Sequence, residues 1–230
     1  MYTVRDLRPN IAKREMEQLE LIPDTRSLFE KLCTMAYLRQ GFQAVKRNGG
    51  APGIDRVSVQ EFESRLEEEL VHLKKELEGW SYEPKPVRRV EIPKPGGSGV
   101  RLLGVPCIRD RVVQATLKLL MEPLIDPYFS PNSYGFRPGR NQRQAVEAAQ
   151  EIVCRGKEYV VDIDLSKFFD RVNHDRLIAR LKGFIEDTRI LRIIGMTLRS
   201  GVLVNGVVEA TEEGTTQGSL CKALHNAEHF

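Results

Sequence analysis

Apolar residues recur every three or four positions in two stretches of the N-terminal third, a spacing typical of amphipathic helices. In residues 27–47 the apolar positions are Leu28, Leu32, Met35, Ala36 and Phe42. In the second stretch they are Phe62, Leu66, Leu70, Leu73 and Leu77. The turn-forming sequence NGGAPG (48–53) separates the two stretches, Ser58 and Glu61 have the form of a capping box, and Gly79 ends the second helix. We expect this second helix to serve packing.

Two β-hairpins are predicted further along the chain. The runs VRRVEI (87–92) and VRLLGV (100–105) are joined by a glycine-rich loop, and VLVNGVVE (202–209) carries Asn205-Gly206, a strong hairpin signal. A turn-rich segment occupies 131–139, and helical patterns occupy 109–123, 142–153, 175–182 and 187–199. Helices and hairpins alternate without a regular βαβ rhythm, which favours an α+β fold, an antiparallel sheet with packed helices.

Composition narrows the class of protein. The 230 residues suffice for one large domain or two small ones, and no run approaches the roughly 20 apolar residues of a membrane span. The N-terminus lacks the apolar segment of a signal peptide. The four cysteines lie far apart without a CxxC pair, which argues against zinc and for reduced thiols in a cytoplasmic protein.

Positive charge is concentrated in one segment. The net charge of +3 is too small to indicate a partner. Between 85 and 118, however, only Glu91 and Asp110 oppose a set of basic residues: Lys85, Arg88, Arg89, Lys94, Arg101, Arg109, Arg111 and Lys118. Such a cluster is typical of a phosphate-binding surface, and on charge alone a solvated basic face is an equal alternative.

The clearest strand pattern, 159–165, places Asp162 and Asp164 on one face and apolar residues on the other. Two neighbouring carboxylates repel each other unless a cation joins them. Mg²⁺ is a natural candidate because it prefers hard oxygen ligands. The structural alternative is an exposed strand face whose aspartates are solvated or paired with arginine.

The sequence around these aspartates resembles a known catalytic motif. YVVDIDLSKFFDRVNHDRL (159–177) is similar to the first catalytic motif of reverse transcriptases encoded by group II introns. Further blocks resemble the same family in the same order: NGGAPGIDRVSVQEF (48–62), YEPKPVRRVEIPKPGGSGVRLLGVPCIRDRVVQ (82–114), FSPNSYGFRPGRN (129–141) and EGTTQGS (213–219). The resemblance covers residues 27–219. It fits the intron-encoded type better than the diversity-generating or retron type.

The resemblance implies the fingers and part of the palm of a right-hand polymerase. We expect an N-terminal helical extension with the start of the fingers (1–80) and fingers with a basic hairpin (81–158). A partial palm with the first catalytic motif (159–219) and a divergent tail (220–230) would follow.

Roles for single residues follow from the resemblance. Asp164 matches the catalytic, metal-binding aspartate, and the backbone of Leu165 is expected to help hold the same Mg²⁺. Phe169 matches the bulky residue that excludes a ribose 2′-hydroxyl. The residues expected to meet the incoming nucleotide are Lys94, Arg101, Phe169, Gln217 and Gly218.

Four arginines are predicted to contact nucleic acid: Arg109, Arg111, Arg137 and Arg140. For Arg109 and Arg111 the alternative is pairing with Asp110 and the core. For Arg137 and Arg140 a structural role in the glycine-containing turn is an equal alternative. His174 is expected to be structural rather than an acid–base catalyst.

Half of the expected metal site is missing from the sequence. A two-metal polymerase of this family needs a second motif with adjacent aspartates, and this chain contains no Asp-Asp pair. The family pattern is also lost after Ser219. We therefore expect a truncated RNA-directed DNA polymerase with an intron maturase role, inactive alone, whose intact relatives use RNA, a DNA primer and a deoxynucleotide.

Two other functions are compatible with the sequence. One is an RNA-binding module without catalysis, which salt-dependent RNA affinity without primer extension would favour. The other is self-association through apolar surface and a sheet edge left uncovered by the incomplete palm.

Overall fold

The computed structural model of the protein describes residues 25–93, 99–165, 171–204 and 206–215. Within these ranges no helix is long and apolar enough to cross a membrane. Cys33 and Cys107 are buried free thiols and Cys154 is an exposed one, whereas Cys221 lies outside the described residues.

The first predicted helix is in fact two helices. α1 (Leu28–Leu32) ends at Cys33, and α2 (Met35–Asn48) begins after Thr34. The Thr34 hydroxyl accepts a hydrogen bond from the Tyr37 N–H (3.4 Å) and donates one to the Lys31 carbonyl (2.9 Å), so one side chain serves both helix ends. The prediction of a continuous helix over 27–47 is wrong because the apolar spacing stays nearly in phase across this break.

The second predicted helix is also divided. α3 (Val59–Ser64) is followed by α4 (Leu66–Glu78), with Arg65 between them. The predicted capping box is confirmed, since the Ser58 hydroxyl accepts from the Glu61 N–H (3.1 Å) and the Ser58 N–H donates to the Glu61 carboxylate (2.8 Å). Gly79 ends α4 as predicted, and the apolar stripe of α4 is buried in the core.

The core forms where α2 crosses α5 (Ile108–Ile125). Gly41 makes the close approach possible, because a Cβ built there would lie 2.1 Å from the Thr116 Oγ1 and 2.8 Å from the Val112 carbonyl oxygen. Next to it, the rings of Phe42 and Phe62 stack at 5.6 Å. The apolar residues predicted for this helix are buried: Val112, Val113, Leu117, Leu120 and Met121.

A four-stranded sheet lies beside this core and confirms both predicted hairpins. The strands are β1 (Val87–Pro93), β2 (Val100–Val105), β3 (Val202–Val204) and β4 (Val207–Glu209), in the order β2-β1-β3-β4. Each hairpin is antiparallel, but β1 and β3 pair in parallel, with Val87 opposite Val202. The α+β class is confirmed. The sheet is mixed rather than wholly antiparallel, because β1 of the first hairpin pairs in parallel with β3 of the second, which lies far away in the sequence.

The remaining helices agree closely with their predicted ranges. A 3₁₀ turn (Asp126–Tyr128) leads through the turn-rich segment to α6 (Gln142–Cys154), and α7 (His174–Leu181) and α8 (Thr188–Leu198) follow later. α7 and α8 pack on each other and bury apolar faces. In contrast, α6 has no buried residue along its described length.

The prediction of a strand over 159–165 is wrong. The backbone there has no regular secondary structure, and Tyr159 and Val161 are 92% and 80% exposed. A strand is stable only when a neighbouring strand satisfies its backbone N–H and C=O groups. No described strand lies alongside this segment, so alternation in the sequence does not produce a strand here.

Candidate functional site

The β1–β2 hairpin places its loop at one end of the sheet. In the observed register Ile92 lies opposite Arg101 and Pro93 lies opposite Val100, so the antiparallel pairing continues to the last residue of β1. Lys94 follows immediately in the chain but lies outside the described residues, as does most of the connecting loop. Arg101 is the second residue of β2, and its side chain is not described. The hairpin prediction is confirmed, and the nucleotide contacts of these two residues stay predictions.

Two arginines bind the NGGAPG loop to the base of the hairpin. Arg88 in β1 donates to the Pro52 carbonyl from Nε (3.1 Å) and from a terminal nitrogen (2.8 Å). Arg111 in α5 donates to the carbonyls of Pro106 (2.9 Å), Gly49 (3.4 Å) and Ala51. Burial lowers the pKa of the Arg111 guanidinium, and the nearby charge of Arg88 lowers it further. These arginines therefore satisfy loop carbonyls with hydrogen bonds and fix the loop against the hairpin.

Arg109 joins a polar network at the start of α5. Its guanidinium forms an ion pair with Glu76 in α4 and lies over the Tyr82 ring at 5.5 Å from the centroid. Its Nε is 3.7 Å from an oxygen of Asp110. The alternative of pairing with Asp110 and the core agrees with this geometry, and a template contact by Arg109 stays a prediction.

Asp110 is the buried centre of that network. The Tyr82 hydroxyl donates to one carboxylate oxygen (2.9 Å) and the Lys85 backbone N–H donates to the other (3.1 Å). Burial raises the pKa of the Asp110 carboxyl to about 6, although both hydrogen bonds and the neighbouring cations favour the charged form. The sequence could not reveal this pairing because periodicity carries no information about a partner 28 residues away.

Arg137 fixes the turn between the 3₁₀ segment and α6. Its guanidinium donates to both oxygens of the Asp126 carboxylate (2.8 and 3.1 Å) and to the carbonyls of Asp126, Ser130 and Ser133. Only 7% of its side chain is exposed. Arg140 donates to the Pro131 carbonyl (3.1 Å) and lies over the Tyr134 ring at 5.3 Å. Both arginines have structural contacts, and their RNA contacts stay predictions.

The two aspartates of the first catalytic motif lie on the exposed segment 159–165. Neither Asp162 nor Asp164 forms a hydrogen bond or ion pair with a described residue, and Leu165 is 52% exposed. Among the described residues, no group of three or more His, Cys, Asp or Glu could hold a metal ion. Phe169, Gln217 and Gly218 lie outside the described residues.

His174 links the end of the first catalytic motif to the block that precedes Gln217. Its Nε2 is 2.6 Å from the Gly214 carbonyl oxygen, and the Gly214 N–H donates to the Val172 carbonyl (2.8 Å). Asn173 and Glu213 form an isolated antiparallel bridge beside it. His174 is buried, so its position agrees with the expected structural role. The sequence did not indicate which segment it holds.

This fold, with a basic hairpin beside a helical core and an aspartate motif after it, agrees with comparisons to known proteins. The model of the family "Reverse transcriptase (RNA-dependent DNA polymerase)" matches residues 92–221, more than half of the chain. The chain belongs to the reverse transcriptase family. A Cas6-RT-Cas1–Cas2 complex contains a chain of similar fold, with a TM-score of 0.59 and 21% identity over 88% of this chain and 34% of that one.

The curated relatives include proteins of intron-encoded type. Protein YkfC of Escherichia coli is 38% identical over 178 residues, which are 75% of this chain and 46% of YkfC. The group II intron-encoded protein LtrA of Lactococcus lactis is 30% identical over 158 residues, 69% of this chain and 26% of LtrA. The resemblance to group II intron reverse transcriptases is confirmed. The chain spans less than half the length of either relative.

The described residues do not by themselves fit the divalent metal that reverse transcriptases use. Mg²⁺ takes six oxygen ligands in near-octahedral geometry, several of them water or substrate phosphate. Here Asp164 and the Leu165 backbone are the predicted protein ligands, and no further carboxylate cluster adjoins them in the described ranges. The described residues alone therefore do not form such a site, and metal binding by Asp164 and Leu165 stays a prediction.

Proposed function

We propose that this chain supplies the fingers and the first aspartate motif of an RNA-directed DNA polymerase of the group II intron type, which also acts as an intron maturase in splicing and mobility. The observation that supports it is the β1–β2 hairpin, paired up to Pro93 and Val100 within a chain of the reverse transcriptase family. Its substrates would be an RNA template, a DNA primer and a deoxynucleotide with Mg²⁺.

In this proposal the hairpin acts as a lid over the nucleotide. Lys94 and Arg101, at the two sides of the hairpin loop, would neutralise the triphosphate, a task suited to positioned cations. Arg88 and Arg111 hold the base of the lid against the 48–53 loop, so they are positioning residues. Phe169 and the pair Gln217 and Gly218 would line the sugar and base side of the same site.

The 230-residue chain is proposed to be inactive as a polymerase on its own. Asp164 provides one carboxylate, and the sequence contains no pair of adjacent aspartates. Two-metal phosphoryl transfer needs ligands for both ions, and metal charge supplies much of the rate enhancement. Loss of half the ligands therefore removes activity rather than weakening it.

Primer extension tests the proposal. The purified chain would be assayed with oligo(dT) on poly(rA) and Mg²⁺, while RNA binding is measured on the same sample. We expect RNA binding without extension. Extension that disappears in Asp164→Ala would show that a complete metal site exists and would overturn the inactivity of the chain alone.

RNA binding without catalysis is the second candidate function. It is favoured by the half-buried Arg89 of β1, near the base of the hairpin, which forms no ion pair with a described residue. Steep salt dependence of the RNA affinity would favour this function over a polymerase component, provided that no primer extension appears even when the regions of LtrA that this chain does not match are supplied in trans.

Self-association is a further proposal about partners. α6 exposes Val146, Ile152 and Val153, and the following segment exposes Tyr159 and Val161. Apolar side chains on neighbouring elements are a typical contact surface. Light scattering at several protein concentrations would show a rising mean mass if copies associate, and a constant monomer mass would contradict it.

A further inference from the structure

Residues 159–165 are the most exposed apolar stretch in the described ranges. Val160 and Ile163 are 83% and 81% exposed, as are Tyr159 and Val161 to a similar extent. None of the residues in this segment forms a hydrogen bond with a described residue. Its sequence, YVVDIDL, is nevertheless rich in the β-branched and aromatic residues that strands favour. The segment therefore has the composition of a strand but lacks the partner that a strand needs.

The helix before this segment also exposes an apolar face. α6 ends at Cys154, and residues 155–158 connect it to the segment. Val146 and Val153 lie two helical turns apart on one face of α6 and are 65% and 55% exposed. A two-stranded ribbon is stable in water only when another element covers its apolar face. α6 is available for this, because none of its described residues is buried.

The order of side chains makes the segment complementary to a second copy of itself. In an antiparallel pair centred on Asp162, Val161 lies opposite Ile163 of the second copy, and Tyr159 lies opposite Leu165 of the second copy. All of these apolar side chains share one face of the ribbon, since alternate residues of a strand point to the same side. Each copy thus extends the apolar face of the other.

Parity and charge favour this register over the neighbouring ones. A shift by one residue would place apolar side chains beside aspartates on the same face. A shift by two residues keeps the apolar face but opposes like charges twice, either Asp162 with Asp164 or Glu158 with Asp164. A parallel, in-register pair would oppose both aspartates to their own copies. The register centred on Asp162 opposes only Asp162 to itself and places Asp164 opposite Val160.

We propose that two copies of the chain associate through residues 159–165, which form an antiparallel two-stranded ribbon centred on Asp162, with α6 of each copy covering its apolar face. The proposal rests on the self-association in the proposed function, and it names the segment, the register and the symmetry of that contact. The pairing satisfies backbone groups of the segment that no described residue satisfies. The two-fold axis at Asp162 closes the contact, so dimers form rather than fibres.

The small size of the contact predicts a weak dimer. Each copy contributes one short strand and the exposed side chains of α6, which is less than the roughly 800 Å² per partner of a stable interface. We therefore expect a dissociation constant on the order of 10–100 μM. The experiments below use the 230-residue protein at about 100 μM, so that the dimer is populated.

Disulfide trapping tests the register directly. The background variant carries Cys154→Ser and Cys221→Ser and keeps the two buried thiols. Asp162→Cys places a thiol opposite itself in the second copy, at the Cα separation of about 4.5–5.5 Å that a disulfide can bridge. Asp164→Cys is the matched control, because its two thiols would lie about 13 Å apart along the ribbon. We expect at least about fivefold more cross-linked dimer for Asp162→Cys, measured by non-reducing electrophoresis.

Light scattering measures the same contact without a cross-link. Val161→Lys places a charge on the apolar face of the ribbon and should abolish the rise of mean mass with concentration. Val207→Lys is its control, since Val207 lies in β4 and is 65% exposed, and the rise should persist. Asp162→Asn removes the opposed like charges and should tighten the dimer about twofold to fivefold, whereas Asp164→Asn should change it less than about twofold.

Four results would each overturn this contact. Equal cross-linking of Asp162→Cys and Asp164→Cys would indicate parallel or unspecific pairing. A mass that rises in Val161→Lys as in the wild type would show that the copies associate through another surface. A monomer whose 159–165 amides are protected from hydrogen exchange would show pairing within one chain. A constant monomer mass without cross-linking of Asp162→Cys would overturn the proposed self-association as well.

Discussion

Two regions of the molecule differ in how tightly they pack. One is the helical core with its hairpin, and the other is the region that carries the aspartates. In the first region α2 and α5 cross at a glycine, polar side chains such as Asp110 have partners, and arginines fasten loop to strand. In the second region α6 buries nothing, and 159–165 is exposed without a strand partner in the described ranges. Yet the second region carries the residues that resemble catalytic ones.

The difference shows that catalytic residue types are not sufficient for a catalytic site. Asp164 has the correct neighbours in sequence, but a metal site needs ligands fixed by packing from several elements. The hairpin region has that packing from its own helices. Among the described residues, the aspartate region has no such packing.

The largest effect is expected from a deletion inside the core. Phe42 is fully buried and stacks on Phe62, so Phe42→Ala should lower the free energy of unfolding by about 3–5 kcal/mol. Urea unfolding followed by circular dichroism measures it. Val71→Ala, at an exposed position of α4, is the control and should cost less than about 1 kcal/mol. Similar losses in both variants would contradict the position of the core.

The buried carboxyl of Asp110 should give the core a dependence on pH. Its pKa is raised from 3.8 to about 6 by burial, so the folded state binds the proton more tightly than the unfolded state. This contribution to stability is fully present below about pH 4 and is lost as pH rises through 6, a difference of about 2–3 kcal/mol. Unfolding measured from pH 4 to 7 tests it.

Two variants separate Asp110 from other titrating groups. Asp110→Asn should flatten the fall in stability between pH 4 and 6. Tyr82→Phe removes a hydrogen bond that favours the charged carboxylate, so it should move the fall to higher pH. An unchanged pH profile in Asp110→Asn would assign the dependence to another group.

Removing Arg137 should destabilise the turn that connects the two regions. Arg137→Ala deprives the Asp126 carboxylate and the carbonyls of Ser130 and Ser133 of their donor, and we expect a loss of about 2–3 kcal/mol. Arg140→Ala removes a partly exposed neighbour that has one side-chain hydrogen bond, to the Pro131 carbonyl, and a ring contact with Tyr134, and it should cost under about 1 kcal/mol. Thermal unfolding of both variants gives the comparison, which equal effects would contradict.

Glycine substitutions test the closest approach of two helices. Gly41→Ala places a Cβ against buried Thr116 and backbone of α5, so a loss of about 1–3 kcal/mol is expected despite the better helix propensity of alanine. Gly195→Ala in α8 meets only the flexible end of Arg199 at 3.1 Å. It should be neutral or stabilising by up to about 1 kcal/mol. Equal destabilisation in chemical unfolding would show that α8 packs as tightly as α2.

Local elements of this fold could be predicted from the sequence because their signals are local. The Ser58 and Glu61 capping box, the glycine-rich hairpin and the range of α6 depend on residues close in the chain. The parallel pairing of β1 with β3 joins residues more than a hundred positions apart, and no spacing rule predicts it. The same holds for the candidate site. Its hairpin could be predicted from local sequence, whereas the side chains that pair with Arg109 and Arg137 could not.

The prediction of a strand over 159–165 is wrong for a physical reason. Alternation describes which side chains would share a face, but a strand exists only when its backbone groups are paired. Its two edges find no strand among the described residues, so Tyr159 and Val161 face solvent. Sequence patterns therefore predict what a segment can become, and its neighbours decide whether it does.

The smallest change in the free energy of unfolding is expected for substitutions in the aspartate region. Val161→Thr and Ile152→Thr should each change the free energy of unfolding by less than about 0.5 kcal/mol, because both side chains are largely exposed. Asp164→Asn should be equally silent in stability, since its carboxylate contacts no described residue. Guanidinium unfolding of the three variants, beside Phe42→Ala as a positive control, measures this. A loss of 1 kcal/mol or more in any of the three would show that this region packs against something in the folded protein, and the contrast between the two regions would fail.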